Sequence, residues 1–191
     1  MKIFRNKRAL STVVTTLIIL VVSVLLAGVV TMYAINITST RTQQEQLRLS
    51  KQAVWVNATG GYSYAALAID NVGGRDVIID KIQVRGVECR WENVSYLRLD
   101  SSVGGSLLPP NQTYASSLPG ANFEYVSDTI DNFTNGSSDI PLASGDTLVV
   151  YIWNPDSISI NDIGTTVGIT VFTENAQYYV ECNIQTSEEA P

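Results

Sequence analysis

The longest apolar stretch of the chain lies close to its start. No charged residue occurs between Ala9 and Thr40, and the segment from Leu10 to Ile37 is almost wholly apolar. As an α-helix with a rise of 1.5 Å per residue, this segment would be about 42 Å long, which exceeds the ~30 Å hydrocarbon core of a bilayer. Because a backbone in lipid must satisfy its own hydrogen bonds, a helix is favoured despite the many β-branched residues. The pattern therefore predicts a membrane-spanning helix.

The apolar pattern continues in a weaker form beyond this stretch. Leu49, Ala53 and Val56 recur at positions i, i+4 and i+7, in a segment that is rich in helix formers and contains no Gly or Pro. This spacing forms one apolar stripe on an otherwise polar helix. It predicts one continuous N-terminal helix within residues 10–56, ending near Val54, whose second half docks on a folded domain.

From Gly60 onward the sequence consists of short runs rich in Val, Ile and Tyr. Turn sequences such as Asn71–Gly74 and Asn154–Asp156 separate these runs, which is typical of short β-strands. The candidate strands are Tyr62–Asp70, Asp76–Val84, Val87–Trp91, Val94–Leu99, Thr147–Trp153, Thr165–Phe172 and Tyr178–Ile184. Seven short strands within about 130 residues predict an antiparallel β-sandwich over residues 60–185.

The predicted fold class is therefore α+β, with a long hydrophobic N-terminal α-helix followed by a β-sandwich domain. Between Asp100 and Ser144 the strand pattern weakens and prolines accumulate, so this stretch is predicted to be a loop-rich excursion with one or two strands. The last residues, 186–191, form a polar tail that is predicted to fray.

The charges are distributed unevenly along the chain. Four basic residues and no acidic residue lie within the first eight positions: Lys2, Arg5, Lys7 and Arg8. Because Lys and Arg stay on the inner side of a membrane, this stub predicts that the bulk of the chain lies outside. After Arg98 there is no basic residue, whereas twelve carboxylates follow it. Such an acidic half would repel a nucleic acid backbone, which argues against nucleic-acid binding.

The sequence offers little for catalysis or cofactor binding. It has no His, which excludes Ser-His-Asp and Cys-His arrangements, and it contains none of the common catalytic or nucleotide-binding motifs. We therefore predict that the protein is not an enzyme and has no cofactor. The acidic residues Asp128, Asp131 and Asp139 lack the spacing of a dedicated Ca²⁺ loop, so a solvated loop is the favoured interpretation.

The two cysteines, Cys89 and Cys182, lie far apart, each in a candidate strand. They do not form a C-x-x-C pair, so neither a zinc site nor a thioredoxin-like site is indicated. In an extracellular domain one disulfide between them is plausible. Two separate buried thiols are the alternative.

Six N-x-S/T sequons occur, where about two are expected by chance. Their asparagines are Asn36, Asn57, Asn93, Asn111, Asn132 and Asn135. The excess agrees with an exported, glycosylated surface. We consider Asn93, Asn111, Asn132 and Asn135 to be the candidate acceptors, with unmodified polar turn residues as the alternative, whereas Asn36 lies at the boundary of the apolar helix.

The string K-R-A-L-S-T-V-V, from Lys7 to Val14, resembles the class III signal of archaeal type IV pilins. In that family a short basic leader ends in a small residue, and a long hydrophobic helix follows directly. The resemblance implies that Lys7 and Arg8 form the basic pair, that residues 1–9 are the leader, and that cleavage after Ala9 makes Leu10 the first mature residue. The fifth residue after the cut would be Val14, where bacterial type IV pilins usually have Glu, so the likeness is to the archaeal group.

The resemblance implies a structural subunit of a surface filament, with adhesion as its expected role. Its partners would be other copies of the chain, a prepilin peptidase and the assembly machinery, and the precursor would sit in the membrane with its N-terminus inside. Small residues at Ser23, Ala27 and Gly28 could allow close helix packing in the filament core, or they could simply face lipid. The alternatives are an archaellin, which is a motility-filament subunit, or an uncleaved single-pass protein that displays a binding domain. A tethered surface enzyme has no supporting residues.

Overall fold

The structure is a computed structural model that describes the backbone of residues 7–42, 44–110 and 122–187. The chain divides into two compact units, of which the first ends at Gln43 and the second begins at Gln44. The first unit contains one long helix, and the second contains all of the described strands. The chain is therefore α+β, as predicted.

Helix α1 spans Lys7–Thr42 and is 36 residues long. Every side chain from Ser11 to Thr40 is exposed, and none of them is charged. By length and composition this 30-residue segment is able to cross a membrane. The predicted long apolar N-terminal helix is confirmed.

The predicted continuation of this helix to Val54 is wrong, because Leu47–Val56 forms strand β1. β1 pairs with the next strand over eight registered residue pairs, and a bulge between Ser50 and Ala53 shifts the register. Lys51 has a positive φ of 56° within this bulge. The extra residue changes the parity of the strand, so that Leu49 and Val56, seven residues apart, contact the same apolar cluster, whereas Ala53 contacts the cluster on the other face.

The β-domain contains twelve strands within the described residues. They are β1 Leu47–Val56, β2 Ser63–Asn71, β3 Val77–Val84, β4 Val87–Glu88, β5 Val94–Leu99, β6 Asn122–Val126, β7 Thr129–Asn132, β8 Thr134–Asn135, β9 Ile140–Leu142, β10 Thr147–Trp153, β11 Thr166–Thr173 and β12 Gln177–Thr186. Two short 3-10 turns lie at Trp91–Asn93 and Ile160–Asp162. The bounds of β5 and β10 coincide with their predictions, whereas four short strands, rather than one or two, lie within the loop-rich excursion.

Most of the strands belong to one sheet, with the order β4-β3-β11-β12-β1-β2-β10-β5-β8 and with β9 paired to β3. The pairing is antiparallel except where Val54–Val56 runs parallel to Ile184–Thr186. The hairpin β6-β7 forms a separate two-stranded sheet. The domain is therefore strand-rich and mostly antiparallel, and its first strand, β1, lies between β12 and β2 inside the sheet.

Strand β2 is buried on both faces along its whole length. Ala65, Leu67 and Ile69 belong to one apolar cluster, whereas Tyr64 and Ala66 belong to a second cluster on the opposite face. This explains the near-continuous apolar sequences of β2 and β10, because a strand buried on both faces does not alternate between apolar and polar residues.

The second cluster is closed by aromatic residues from the excursion. The rings of Phe123 and Phe133 stack with centroids 4.4 Å apart, and both meet Tyr151 of β10 edge to face. The chain therefore covers this face of β10 with its own hairpin. By contrast, β12 alternates between exposed and half-buried residues, and Tyr179 at its centre is 60% exposed.

Candidate functional site

Most of the exposed large apolar side chains among the described residues lie on α1. Its aliphatic side chains point outward around the whole circumference between Ser11 and Thr40. Six Ser and Thr hydroxyls along it donate to carbonyls of the preceding turn; Thr15, for example, donates to the Ser11 carbonyl at 2.9 Å, and Ser23 donates to the Ile19 carbonyl at 2.7 Å. Hydroxyls bonded in this way present no free donor, which suits lipid or a dry helix interface.

Small residues form a stripe along one side of α1. Thr12, Ser23 and Ala34 recur every 11 residues, and Thr16, Ala27 and Thr38 recur with the same spacing. Eleven residues are close to three helical turns, so these six residues lie within about 80° of one another around the helix. We call them the small-residue stripe. It includes the predicted residues Ser23 and Ala27, whereas Gly28 lies about 100° away from Ala27.

The predicted processing residues Lys7, Arg8, Ala9 and Leu10 form the first four positions of α1, so the backbone is helical through the Ala9–Leu10 bond. Their side chains lie outside the described residues. Cleavage after Ala9 stays a prediction.

The residues that follow α1 are held by the turn between β2 and β3. The carbonyl of Gln46 accepts a hydrogen bond of 3.0 Å from Val72, and the carbonyl of Gln44 accepts one of 3.2 Å from Gly74. Gly73 lies so close that a Cβ there would be 2.6 Å from the Gln46 nitrogen and 2.7 Å from the Gln44 oxygen. Only glycine fits this approach without a backbone shift.

The turn between β11 and β12 holds the same segment from another strand pair. The carboxylate of Glu45 accepts hydrogen bonds from the Thr173 hydroxyl and from the Asn175 amide, the latter at 3.2 Å. Burial and the neighbouring Glu45 carboxylate raise the pKa of Tyr178. We call residues 44–46 and their partners the junction clamp. It fastens the start of the β-domain to the β2-β3 turn and to the β11-β12 turn. Local sequence patterns gave no signal for it.

The two cysteines are free, half-buried thiols. Burial raises the pKa of Cys89 to about 12 and that of Cys182 to about 11, so both are poor nucleophiles at neutral pH. The Cys89 amide bonds Ile82 of β3, whereas Cys182 lies on β12, and β11 separates these two strands. Both thiols are free in this structure. A disulfide between them in an extracellular domain stays a prediction.

The sequons fall into different environments. Asn57 is only 6% exposed, and its side-chain oxygen accepts hydrogen bonds from the backbone amides of Thr59 at 2.9 Å and Gly60 at 2.7 Å. Its amide donates to the Tyr62 hydroxyl at 3.0 Å. Asn57 is therefore a structural turn residue between β1 and β2.

The other sequons differ from Asn57. Asn132 and Asn135 are exposed, Asn93 is half-buried, and Asn36 is exposed on α1. Asn111 lies outside the described residues. The candidate acceptors therefore differ in solvent exposure, although all of them share the N-x-S/T motif.

The acidic residues of the excursion do not gather into a metal site. Among the described residues, no group of three or more His, Cys, Asp or Glu side chains is placed to hold a metal ion. Asp128 instead occupies the β6-β7 turn with a positive φ of 62°, and its amide donates to the Glu124 carboxylate at 2.7 Å. These contacts agree with the solvated-loop interpretation.

The carboxyl group with the most perturbed ionisation is Asp162, in a surface loop. The guanidinium of Arg85 binds it at 2.7 Å, and Ser159 donates to it from both its hydroxyl and its amide. These hydrogen bonds lower the pKa of Asp162 to about 2. All three partners belong to loops or turns, so the pair fastens a loop to the end of β3.

The chain matches no protein-family model, and no curated protein is significantly similar to it in sequence. The functional argument therefore depends on the chain's own residues. Those residues are the apolar surface of α1, the junction clamp and the surface of the β-domain.

Proposed function

We propose that this chain is the precursor of an archaeal type IV pilin-like protein, a structural subunit of a surface filament with adhesion as its role. A prepilin peptidase would cut after Ala9. Helix α1 would then leave the membrane and pack against the helices of other copies, while the β-domain coats the filament. The observation that carries this proposal is the uncharged, fully exposed surface of α1 from Ser11 to Thr40.

The charges of the leader support the cut. Before cleavage, four basic residues precede the apolar segment and hold its start at the inner membrane surface. After cleavage at Ala9, no charged side chain remains from Leu10 to Thr40, and the new α-amino group of Leu10 is the one charge at the start of the segment. The helix could then move from lipid into a protein core without burying a charged side chain.

The small-residue stripe supports self-association of α1. In an apolar environment helices gain little from hydrophobic contact, so close approach at small residues contributes much of their attraction. A stripe with an 11-residue period follows a nearly straight helix over its whole length. It therefore offers neighbouring copies a seam from Thr12 to Thr38, which Leu20 and Val30 interrupt at its two sides.

For the β-domain we infer a sandwich-like coat. One apolar cluster unites Leu67 of β2 and Val150 of β10 with Ile82 of β3 and Ile169 of β11, and these two pairs of strands lie in opposite halves of the sheet order. Folding the two halves of the sheet over a shared core would account for this cluster. Within that domain, the junction clamp ties residues 44–46 to the β2-β3 turn and to the β11-β12 turn.

The proposal is tested at the residue before the cut. Replacing Ala9 with Leu should block processing and abolish surface filaments, whereas Ala9→Gly keeps a small residue and should preserve both. Electron microscopy of the cell surface and immunoblotting of the precursor are the readouts. If both variants behave like the wild type, the uncleaved, single-pass display of a binding domain becomes the better account.

A further inference from the structure

We propose that Asn132 and Asn135 carry N-linked glycans, which cover the edge of the sheet at β8. The proposal needs the β-domain to face the outside, as the basic stub predicts. It does not depend on filament assembly, since a domain displayed by an uncleaved anchor would be modified in the same way.

The two sequons present their functional groups outward. Along the segment from Asn132 to Ser137, Phe133 and Gly136 are buried, whereas the two asparagines and the hydroxyl residues Thr134 and Ser137 are exposed. Both sequons therefore expose the acceptor amide and the hydroxyl while the middle residue points inward. The same motif at Asn57 is closed, because the amide and the carbonyl oxygen of its side chain are engaged in the β1-β2 turn.

The two sequons meet at a sheet edge: Asn132 ends β7, and Thr134 and Asn135 form the edge strand β8. β8 is the last strand in the order, and it pairs with β5 only through Ser95 with Asn135 and Tyr96 with Thr134. The rest of β5, from Leu97 to Leu99, pairs only with β10 within the described part of the chain. An open sheet edge invites pairing with another chain, so natural proteins cover or interrupt such edges.

A third sequon converges on the same place from a distant part of the sequence. Asn93 ends the 3-10 turn that leads into β5, and Gly136 beside β8 donates a 2.7 Å hydrogen bond to the Val94 carbonyl. Asn93 is half-buried, whereas Asn132 and Asn135 are exposed. We therefore assign the modification to Asn132 and Asn135 and not to Asn93.

The modification is a group transfer from an activated, phosphate-linked sugar donor. The side-chain nitrogen of each asparagine forms a bond to the anomeric carbon of the sugar. The bond from that carbon to the phosphate oxygen breaks, the phosphate leaves with its electron pair, and the amide loses one proton. The product is a bulky, hydrated group on the surface.

The first test is mass spectrometry of the full-length chain produced in a host with an N-glycosylation pathway. We expect glycan mass on the peptides that carry Asn132 and Asn135, and none on Asn57. Thr134→Ala should remove the glycan mass from Asn132, whereas Thr134→Ser should keep it. In the same way, Ser137→Ala should remove the glycan mass from Asn135, whereas Ser137→Thr should keep it. An unmodified Asn132 or Asn135 in the wild type, or a glycan on Asn57, would overturn the assignment.

The second test examines the covering role. The double variant Thr134→Ala/Ser137→Ala keeps both asparagines but should lose both glycans, and its β-domain should self-associate at lower concentration than the wild type in sedimentation experiments in detergent. The Thr134→Ser/Ser137→Thr variant should sediment like the wild type. Unchanged association of the unglycosylated variant would contradict the covering role. Neither test depends on cleavage after Ala9, so its outcome is separate from that of the filament proposal.

Discussion

Helix α1 exposes its apolar residues to solvent, whereas the β-domain buries them. The large apolar side chains of α1 between Val13 and Ile37 remain 42–71% exposed, whereas every residue of β2 is buried. Burying a large aliphatic side chain contributes about 1.5–3 kcal/mol relative to leaving it exposed. The β-domain has already gained this free energy within its own chain. Helix α1 gains this free energy only in contact with lipid or with other molecules. Its sequence therefore indicates an apolar environment around the helix.

The largest expected effect comes from a charge in the middle of α1. Val21→Asp should abolish filament assembly, because an Asp at a helix centre in an apolar environment costs about 2.5–3.5 kcal/mol per copy. The melting temperature of the β-domain should not change, since α1 and the β-domain are separate compact units. Val21→Ala is the control and should assemble. Normal filaments from the Asp variant would contradict the claim that α1 packs in an apolar environment.

A leucine deletion in each region sharpens the contrast. Leu67 of β2 is fully buried, so Leu67→Ala should destabilise the β-domain by about 2–5 kcal/mol in denaturant unfolding. Leu25 of α1 is 64% exposed, and Leu25→Ala should leave that unfolding free energy unchanged. Equal losses from the two variants would show that α1 contributes to the stability of the domain.

A smaller effect is expected on the small-residue stripe. Ala27→Leu adds bulk where copies approach closely, so it should lower the amount of assembled filament while membrane insertion is kept. Val29→Leu lies about 200° away around the helix and is the matched control. Sedimentation of filaments and membrane fractionation measure the two properties. If Val29→Leu impaired assembly as much as Ala27→Leu, the stripe would not be the contact face.

The junction clamp predicts a localised loss of stability. Gly73→Ala brings a Cβ within 3 Å of two backbone atoms of the clamp, and overpacking of this kind costs about 1–3 kcal/mol. Hydrogen exchange should increase at Val72 and Gly74, whose amides hold residues 44–46. Unchanged exchange at these two amides would mean that the segment is not fastened there.

The smallest effect concerns Asp162. Its pKa is lowered from 3.8 to about 2, so its pairing with Arg85 stabilises the folded state above the unfolded pKa and is lost as the pH falls from about 4 through about 2. Because solvent reaches the ion pair, whose Arg85 side chain is 43% exposed, Asp162→Asn should have only a slight effect at pH 7. Thermal melts between pH 2 and pH 7 should show a smaller acid-dependent decrease for the variant. An identical pH dependence of the melting temperature in both proteins would show that the Arg85–Asp162 pair does not contribute to stability.

The sequence predicted those parts of the fold whose signal is local. Helix α1 follows from an uncharged run, and β5 and β10 follow from apolar segments bounded by turn residues. β1 was assigned to the helix because the bulge at Lys51 disguised its period. The short strands of the excursion were undercounted, because β8 and β9 have only two and three residues and depend on partners far away in sequence.

The candidate sites show the same limit. The asparagines of six identical motifs could not be separated by sequence, because burial of Asn57 and exposure of Asn132 depend on tertiary structure. The spacing of Cys89 and Cys182 left a disulfide open, and only the strand order separates the two thiols. Glu45 had no recognisable signal either, since its partners Thr173 and Asn175 lie more than a hundred residues away.

The filament proposal is tested most directly by the mass of the N-terminal peptide of the protein from its native membrane or surface fraction. The account predicts a mature chain that begins at Leu10, because the basic leader must be removed before α1 can leave the membrane. A mature protein that retains Met1 to Ala9 would contradict processing and would favour a domain displayed by an uncleaved anchor.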